Sequence, residues 1–231
     1  RVLATVHFWD RYSTPERLTL FAEQAIAELG ALPSVRRVAA ANAFPLSPSG
    51  SEMDPPFLIE GLPAPLPGQE PTARLSIVTP DYFAALGIPL IAGRALEPGD
   101  NRDGRRVIVI GQTMAARHWP NEDPLGQAIL VRQRDSTFRR LEIVGVVGDT
   151  RFAGHGHRPV PEYYVPLSQR PFGSLTFVVH SAGRGPVSRR ARMGRFRDCP
   201  DRAGSTPAGS PVSRGGSDCS GTGLDRPGPT P

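Results

Sequence analysis

Alternating and helical patterns of hydrophobic residues predict a strand–helix–strand unit at the start of the chain. Residues 1–9 are rich in β-branched and aromatic side chains, which is typical of a strand. Ser13 and Glu16 have the spacing of a capping box, and Pro15 suits the first turn of a helix. We therefore expect a helix that begins next to Ser13 and covers one face of a sheet.

The predicted helix has one apolar face and a defined end. Hydrophobic residues recur at steps of three and four, at Leu18, Phe21, Ala22, Ala25, Ile26 and Leu29. Gly30 is a natural C′ residue and Pro33 a natural stop, so we expect the helix to end at this point. Residues 35–44 predict the second strand of the unit.

The region up to residue 183 continues with short strands, turns and two short helices. Strands are predicted at residues 56–61, 74–78, 88–91, 107–110, 128–132, 141–147, 163–165 and 175–180, and helices at 82–86 and 112–119. We expect Thr79, Pro80 and Asp81 to cap the first of these helices. The apolar run at 141–147 is typical of a central strand buried on both faces, with Ile143, Val144, Val146 and Val147 in the core.

The distribution of charge separates the last 48 residues from the rest. All 27 basic residues are Arg, and the chain has no Lys, which excludes an ordinary P-loop ATPase and a Schiff-base enzyme. Residues 184–231 hold 9 Arg and 4 Asp, so they carry the whole net charge of +5 (9 − 4). Because this segment is rich in Gly, Pro and Ser and poor in large aliphatic residues, we expect a disordered tail.

One cluster suggests metal chemistry. His155 and His157 flank a glycine, and Asp149 precedes them, so a small metal-dependent hydrolase using these three residues is one hypothesis. The alternative is an exposed polar loop after a strand, and we favour it because no second His or Cys pair has ligand spacing. Gly145 and Gly148 similarly indicate close packing of neighbouring backbone rather than a nucleotide-binding turn.

Other signals for catalysis, cross-linking or membrane insertion are weak in this sequence. No G-x-S-x-G motif occurs, and Cys199 and Cys219 both lie in the predicted tail. No run approaches 18 consecutive apolar residues, and Asp10 and Arg11 interrupt any signal-peptide core. We therefore predict no catalytic residue and no cofactor.

Six segments that follow one another along the chain carry a family resemblance. Residues 31–38, 56–67, 78–94, 107–126, 143–151 and 163–169 together resemble the MacB-like periplasmic core domain of ABC transporter permeases of the FtsX/MacB type, especially the duplicated permeases abundant in acidobacteria. The resemblance covers about residues 1–183. It implies a non-enzymatic domain on the periplasmic side of the bacterial inner membrane, inserted between the first two transmembrane helices of a permease subunit.

The resemblance also implies an architecture. We expect a mixed α/β domain over residues 1–183, with a porter-like layer of strand–helix–strand units at 1–50 and 150–183 and an inserted, β-rich subdomain at 51–149. The family continues past Gly183 with a helix and a strand, whereas this chain has the Arg-rich tail at 184–231. Our hypothesis for the tail is a frameshift or a gene-model error in the source sequence.

The implied role is mechanical. A separate cytoplasmic ABC ATPase would drive the membrane helices, and this domain would pass the motion to substrates or to a periplasmic adaptor protein. A second permease subunit is the expected partner, so the intact protein is expected to dimerise. A nucleic-acid binder acting through the tail is the weakest hypothesis, because Phe196 is the tail's one aromatic residue for stacking on bases.

Overall fold

The computed structural model describes residues 2–7, 14–42, 53–133, 135, 137–150 and 158–181. Ser13, His155, His157 and the predicted tail lie outside these residues, and disorder of the tail stays a prediction. The described elements are β1 (Val2–His7), α1 (Pro15–Gly30), β2 (Val35–Ala41), β3 (Phe57–Ile59), β4 (Arg74–Val78), α2 (Tyr82–Leu86), β5 (Leu90–Gly93), β6 (Val107–Gly111), α3 (Gln112–His118), β7 (Ala128–Arg132), β8 (Phe138–Val147), β9 (Glu162–Pro166) and β10 (Ser174–Ser181). Their order confirms a mixed α/β fold. None of the helices in this part of the chain is long and apolar enough to cross a bilayer.

Helix α1 forms where the apolar periodicity predicts it, but both of its predicted caps are wrong. The N-cap is Thr14 rather than Ser13, and its side chain accepts a hydrogen bond from the backbone N–H of Arg17 at 3.4 Å. Gly30 is the last helical residue rather than C′, because the N–H of Ala31 still reaches the carbonyl of Ala27 at 3.0 Å. Ala31 has φ −72°, so no left-handed residue is needed there.

The strands form one mixed sheet. Their order is β1-β10-β2-β4-β9-β6-β8-β7-β3, and β5 pairs with β8 beside this path. The β4–β9 and β6–β8 pairs are parallel, and the others are antiparallel. Strand β10 lies between β1 and β2, whereas β9, which the sequence analysis assigns to the same layer, lies between β4 and β6. The division into a porter-like layer and an inserted subdomain stays a prediction.

Strand β8 lies inside the sheet, with β6, β7 and β5 as neighbours. Ile143 and Val147 are fully buried and Val146 is 5% exposed, as expected for a central strand. The prediction that Val144 lies in the core is wrong, because this residue is only partly buried and packs at the margin of the core. Gly145 allows the close backbone approach that the sequence predicts, since a Cβ atom there would lie 2.0 Å from the carbonyl oxygen of Arg94.

Candidate functional site

The first and last strands of the fold lie side by side. Strands β1 and β10 pair antiparallel, with Val2 opposite Val179 and His7 opposite Ser174. Antiparallel neighbours have Cα atoms about 4.5–5.5 Å apart. The start of β1 therefore lies beside the end of β10 at one corner of the sheet.

Strands β1, β10 and β2 form this edge of the sheet, and we call them the terminal ribbon. Helix α1 packs on β2 and β10. The rings of Phe21 in α1 and Phe177 in β10 meet edge to face, with centroids 6.4 Å apart. Leu18, Ala22 and Ala25 bury the rest of the helix face. This apolar contact joins α1 to the terminal ribbon.

The terminal ribbon is joined to the rest of the sheet at a short junction between β2 and β4. Ala41 lies opposite Val78. On one side, the N–H of Asn42 bonds to the carbonyl of Ile77 at 3.0 Å, and the N–H of Ile77 bonds to Asn42 Oδ1 at 2.7 Å. On the other side, the N–H of Thr79 bonds to the carbonyl of Ala40 at 2.9 Å, and the N–H of Ala40 bonds to Thr79 Oγ1 at 2.8 Å. Side-chain oxygens thus replace backbone carbonyls at both ends of the junction.

The loop between β5 and β6 is held rigid by a partly buried ion pair. Arg94 donates two hydrogen bonds of 2.8 Å to the carboxylate of Asp100, and the N–H of Glu97 donates a third to the same carboxylate at 2.8 Å. Burial by itself raises the pKa of Asp100, but the hydrogen bonds from Arg94 and Glu97 and the charge of Arg94 lower it overall. Asp100 therefore stays charged in this loop.

A cleft of about 200 Å³ separates α1 from this loop. Glu23 and Ile26 of α1 line one wall, and Thr79, Glu97 and Leu167 line the other. The cleft adjoins the junction, since Thr79 belongs to both. One exposed ion pair, Arg102 to Glu16 at 2.6 Å, crosses from the loop to the start of the helix. Exposed pairs of this kind contribute about 1 kcal/mol or less, so the contact is weak enough to open.

A buried polar cluster joins β9 to Thr150, which follows β8. Glu162 is 1% exposed, and its Oε2 atom accepts hydrogen bonds from Thr150 and from the Tyr164 hydroxyl, the latter at 2.6 Å. Burial raises the pKa of Glu162 and outweighs the opposing hydrogen bonds and the charge of Arg74. Burial, and next the charge of Glu162, also raises the pKa of Tyr82. This cluster anchors Thr150, the last described residue before residues 151–157.

The hypothesised metal ligands divide between described and undescribed residues. His155 and His157 lie outside the described part of the chain, so the metal hypothesis stays untested at those positions. The carboxylate of Asp149 accepts hydrogen bonds from the N–H of Thr113 at 2.8 Å and from its hydroxyl at 2.7 Å. Asp149 therefore caps the start of α3, whose own N-cap residue, Gly111, has no side chain. Within the described ranges, no three His, Cys, Asp or Glu side chains are grouped as a metal site.

Sequence reasoning missed the role of the junction residues. Thr79 was expected to cap α2, but its hydroxyl bonds to Ala40 in β2 and only its carbonyl accepts from Tyr82 N–H, at 3.0 Å. Asn42 carried no prediction beyond membership of the second strand. One signal was available, because each of these short polar residues ends a buried strand, where a side-chain oxygen can continue the ladder.

A family model and several relatives match this chain. The family model described as "MacB-like periplasmic core domain" matches residues 3–187. The macrolide export ATP-binding/permease proteins MacB of Neisseria gonorrhoeae and Neisseria meningitidis are 34% identical over 76 residues, which is 33% of this chain. The aligned region is only 11% of the length of those relatives.

Two solved structures are similar to this chain. The periplasmic region of MacB from Actinobacillus actinomycetemcomitans has 17% identity and a TM-score of 0.48, over 71% of this chain and 67% of that one. The extracellular domain of the ABC-type transporter YknZ from Gram-positive bacteria has 17% identity and a TM-score of 0.46, over 78% of this chain and 83% of that one. The family match itself spans the whole sheet, from β1 to β10, and on that ground this chain belongs to the family of MacB-like periplasmic core domains.

Proposed function

We propose that this domain is the extracytoplasmic part of an ABC transporter permease subunit and that it couples motion of the membrane helices to events outside the inner membrane. The observation that carries the proposal is the pairing of β1 with β10. A domain inserted between two transmembrane helices needs its two connections at one place, and the paired terminal strands supply that geometry. The expected partners are a cytoplasmic ABC ATPase, a second permease subunit and a periplasmic adaptor protein.

In this proposal, the terminal ribbon with α1 is the part that the membrane helices move. Motion of the two connections acts first on β1 and β10, and α1 follows through its contact with Phe177. The motion then reaches the other strands through the junction at Ala41 and Val78. We assign the ribbon and α1 to the porter-like layer and β3–β8 to the inserted part. We also move β9 from the predicted porter-like layer to the inserted part, because it pairs with β4 and β6. The face of this part away from the membrane would handle substrate or adaptor.

A disulfide across the junction tests this route. Ala41 and Val78 do not exchange backbone hydrogen bonds with each other, because the bonds lie on the flanking residues. Such pairs have Cα atoms about 4.5 Å apart, within the range that a disulfide spans. The A41C/V78C variant, made in the permease with Cys199 and Cys219 replaced by Ser, should lose transport when oxidised and regain it when reduced. ATP hydrolysis should persist, because the ATPase is a separate subunit.

A matched disulfide inside the ribbon is the control. Val38 and Val179 are opposite each other in β2 and β10, and both are buried. V38C/V179C therefore introduces the same cross-link without tying the ribbon to the rest of the sheet, and transport should continue under oxidising conditions. Equal transport in both oxidised variants would contradict coupling through the junction. Loss of transport in both would show that cross-linking any pair in this sheet is harmful, which would also count against the junction.

A further inference from the structure

Three arginines from three different elements surround one small depression on the sheet. Arg106 precedes β6, Arg139 lies in β8, and Arg170 follows β9. The depression has a volume of about 10 Å³, and Gln133, Leu141 and Val165 also line it. A space of that size holds about one water molecule, so any larger ligand must lie over the depression and contact the guanidinium groups from outside. We call Arg106, Arg139 and Arg170 the arginine cluster.

A buried glutamine fixes the arrangement. Gln169 is 4% exposed, and its side-chain amide bonds to the backbone on both sides of Arg106. Its Nε2 atom donates to the carbonyl of Arg105 at 2.8 Å, and its Oε1 atom accepts from the N–H of Val107 at 3.2 Å. Arg106 in turn donates to the carbonyl of Gln169 at 3.3 Å. The turn that carries Arg170 is therefore fastened to the segment before β6 that carries Arg106.

The arginine cluster has no carboxylate partner among the described residues. Six other arginines there form ion pairs within 4.0 Å of Asp or Glu, at Arg37, Arg74, Arg94, Arg102, Arg105 and Arg140. Arg106, Arg139 and Arg170 form none, as do five exposed arginines among the described residues, but only these three line one depression.

Neighbouring groups leave the cluster with excess positive charge. Burial lowers the pKa of Arg106, and the like charges of Arg139 and Arg102 lower it further, while Asp103 opposes them. Asp135, in the β7–β8 turn, interacts electrostatically with Arg139 but forms no ion pair with it. Arg170 faces the buried hydroxyl of Tyr163, which has no hydrogen-bond partner among the described residues. Repelling arginines held together by the fold are arranged for an external anion.

We propose that the arginine cluster binds a phosphate group, either free or as the headgroup of an anionic lipid. Guanidinium groups bind phosphate through paired N–H donors and do so more specifically than ammonium groups. Three guanidinium groups from three elements suit a tetrahedral oxyanion, which can accept hydrogen bonds from several directions. The anion would also relieve the repulsion between Arg106 and Arg139.

Thermal unfolding of the full chain with inorganic phosphate tests the site. Phosphate should raise the Tm in a saturable way compared with chloride at the same ionic strength, because a ligand that binds only the folded state stabilises it. In R139Q and R106Q the apparent affinity should fall about tenfold each, as expected for losing a hydrogen bond to a charged group. R117Q is the control, since Arg117 is exposed on α3 and does not line the depression. The tail arginines are the same in every variant, so they cannot cause a difference between variants.

Stability without phosphate separates a ligand site from a structural role. R139Q should unfold at the same or a higher temperature than the parent, because one repelling charge has been removed. A lower Tm of R139Q without phosphate would overturn the proposal, and so would an equal phosphate response in R139Q and the parent. A loss of response in R117Q as large as in R139Q would do so too, since it would show a general charge effect.

Vesicles identify the source of the phosphate group. Co-sedimentation with phosphatidylglycerol vesicles, compared with phosphatidylcholine vesicles, should depend on Arg139 if the ligand is a lipid headgroup. Binding of inorganic phosphate without Arg139-dependent binding to vesicles identifies free phosphate as the ligand. A chain that binds neither would refute the site.

Discussion

Ala41 and Val78 face each other at the junction where β2 meets β4, and the side chains of Asn42 and Thr79 complete the hydrogen bonding on either side of this pair. The ladder is short because β2 ends at Ala41 and β4 ends at Val78, shortly before α2 begins at Tyr82. A short ladder closed by side chains is easier to open than a continuous one, since fewer backbone hydrogen bonds must break together. The proposed route of motion through the junction requires this property.

The first prediction concerns the hydroxyl of Thr79. The T79V substitution keeps the shape of the side chain but removes the acceptor for the buried N–H of Ala40. Leaving a buried donor without a partner costs about 1–3 kcal/mol, so the free energy of unfolding in urea should fall by that amount. T72V is the control, because Thr72 is exposed and should change stability by about 0.5 kcal/mol or less. Equal stability of T79V and T72V would contradict the role of the Thr79 hydroxyl.

The second prediction concerns Gly145. In G145A the new Cβ atom would lie 2.0 Å from the carbonyl oxygen of Arg94, which belongs to the backbone and cannot rotate away. Strands β5 and β8 must then separate, and we expect a loss of stability at the upper end of the roughly 1–3 kcal/mol typical of overpacking. G173A has no atom within 4 Å of the new methyl group and serves as the comparison. Chemical denaturation of the two variants gives the measurement, and similar midpoints would mean that β5 does not press on β8.

The local elements could be predicted from the sequence because their signals are local. The apolar face of α1 repeats at helical steps within 16 residues, and the run at 141–147 marks the interior strand β8. Helix ends were less predictable, since the choice between Ser13 and Thr14 as N-cap depends on the backbone angles of single residues. Thr14 has an extended backbone with φ −102° and ψ 142°, which starts the helix there.

The candidate site could not be predicted in the same way because its contacts are distant in sequence. Thr79 and Ala40 are 39 residues apart, and the loop arginine Arg102 meets Glu16 across 86 residues. No periodicity within a single sequence reports such pairs. The same holds for the arginine cluster, where Arg106 and Gln169 are 63 residues apart and neither belongs to a recognisable motif.

The third prediction distinguishes a structural role for Asp149 from metal binding. D149A removes the cap of α3 and should lower the free energy of unfolding by about 1 kcal/mol. D149N should lose less, because its amide oxygen can still accept from the N–H of Thr113. Both effects should be the same with zinc and with a chelator. Stoichiometric zinc in the purified chain, lost in H155A and D149N, would instead support the metal-dependent hydrolase.

The fourth prediction concerns pH, and its sign follows from the raised pKa of Glu162 in the folded protein. An unfolded glutamate has a pKa of about 4.3. Between that value and the higher folded value, the native state holds a proton that the unfolded state has released. Stability therefore falls as pH rises through this window, by up to about 1.4 kcal/mol per pH unit, and is fully reduced above the folded pKa.

E162Q should remove this dependence, because the amide is neutral and its oxygen can still accept from the Tyr164 hydroxyl. We expect the free energy of unfolding of the parent chain, measured against that of E162Q at each pH from about 4 to 8, to decrease as pH rises above the unfolded pKa and to level off above the folded pKa. E122Q changes an exposed carboxylate and should run parallel to the parent over the same range. The free energies of unfolding of the parent and E162Q could instead differ by the same amount over the whole pH range, or the difference could grow in favour of the parent as pH rises. Either result would mean that Glu162 is charged in the folded core. The network with Thr150 would then have to stabilise that charge more strongly than burial opposes it.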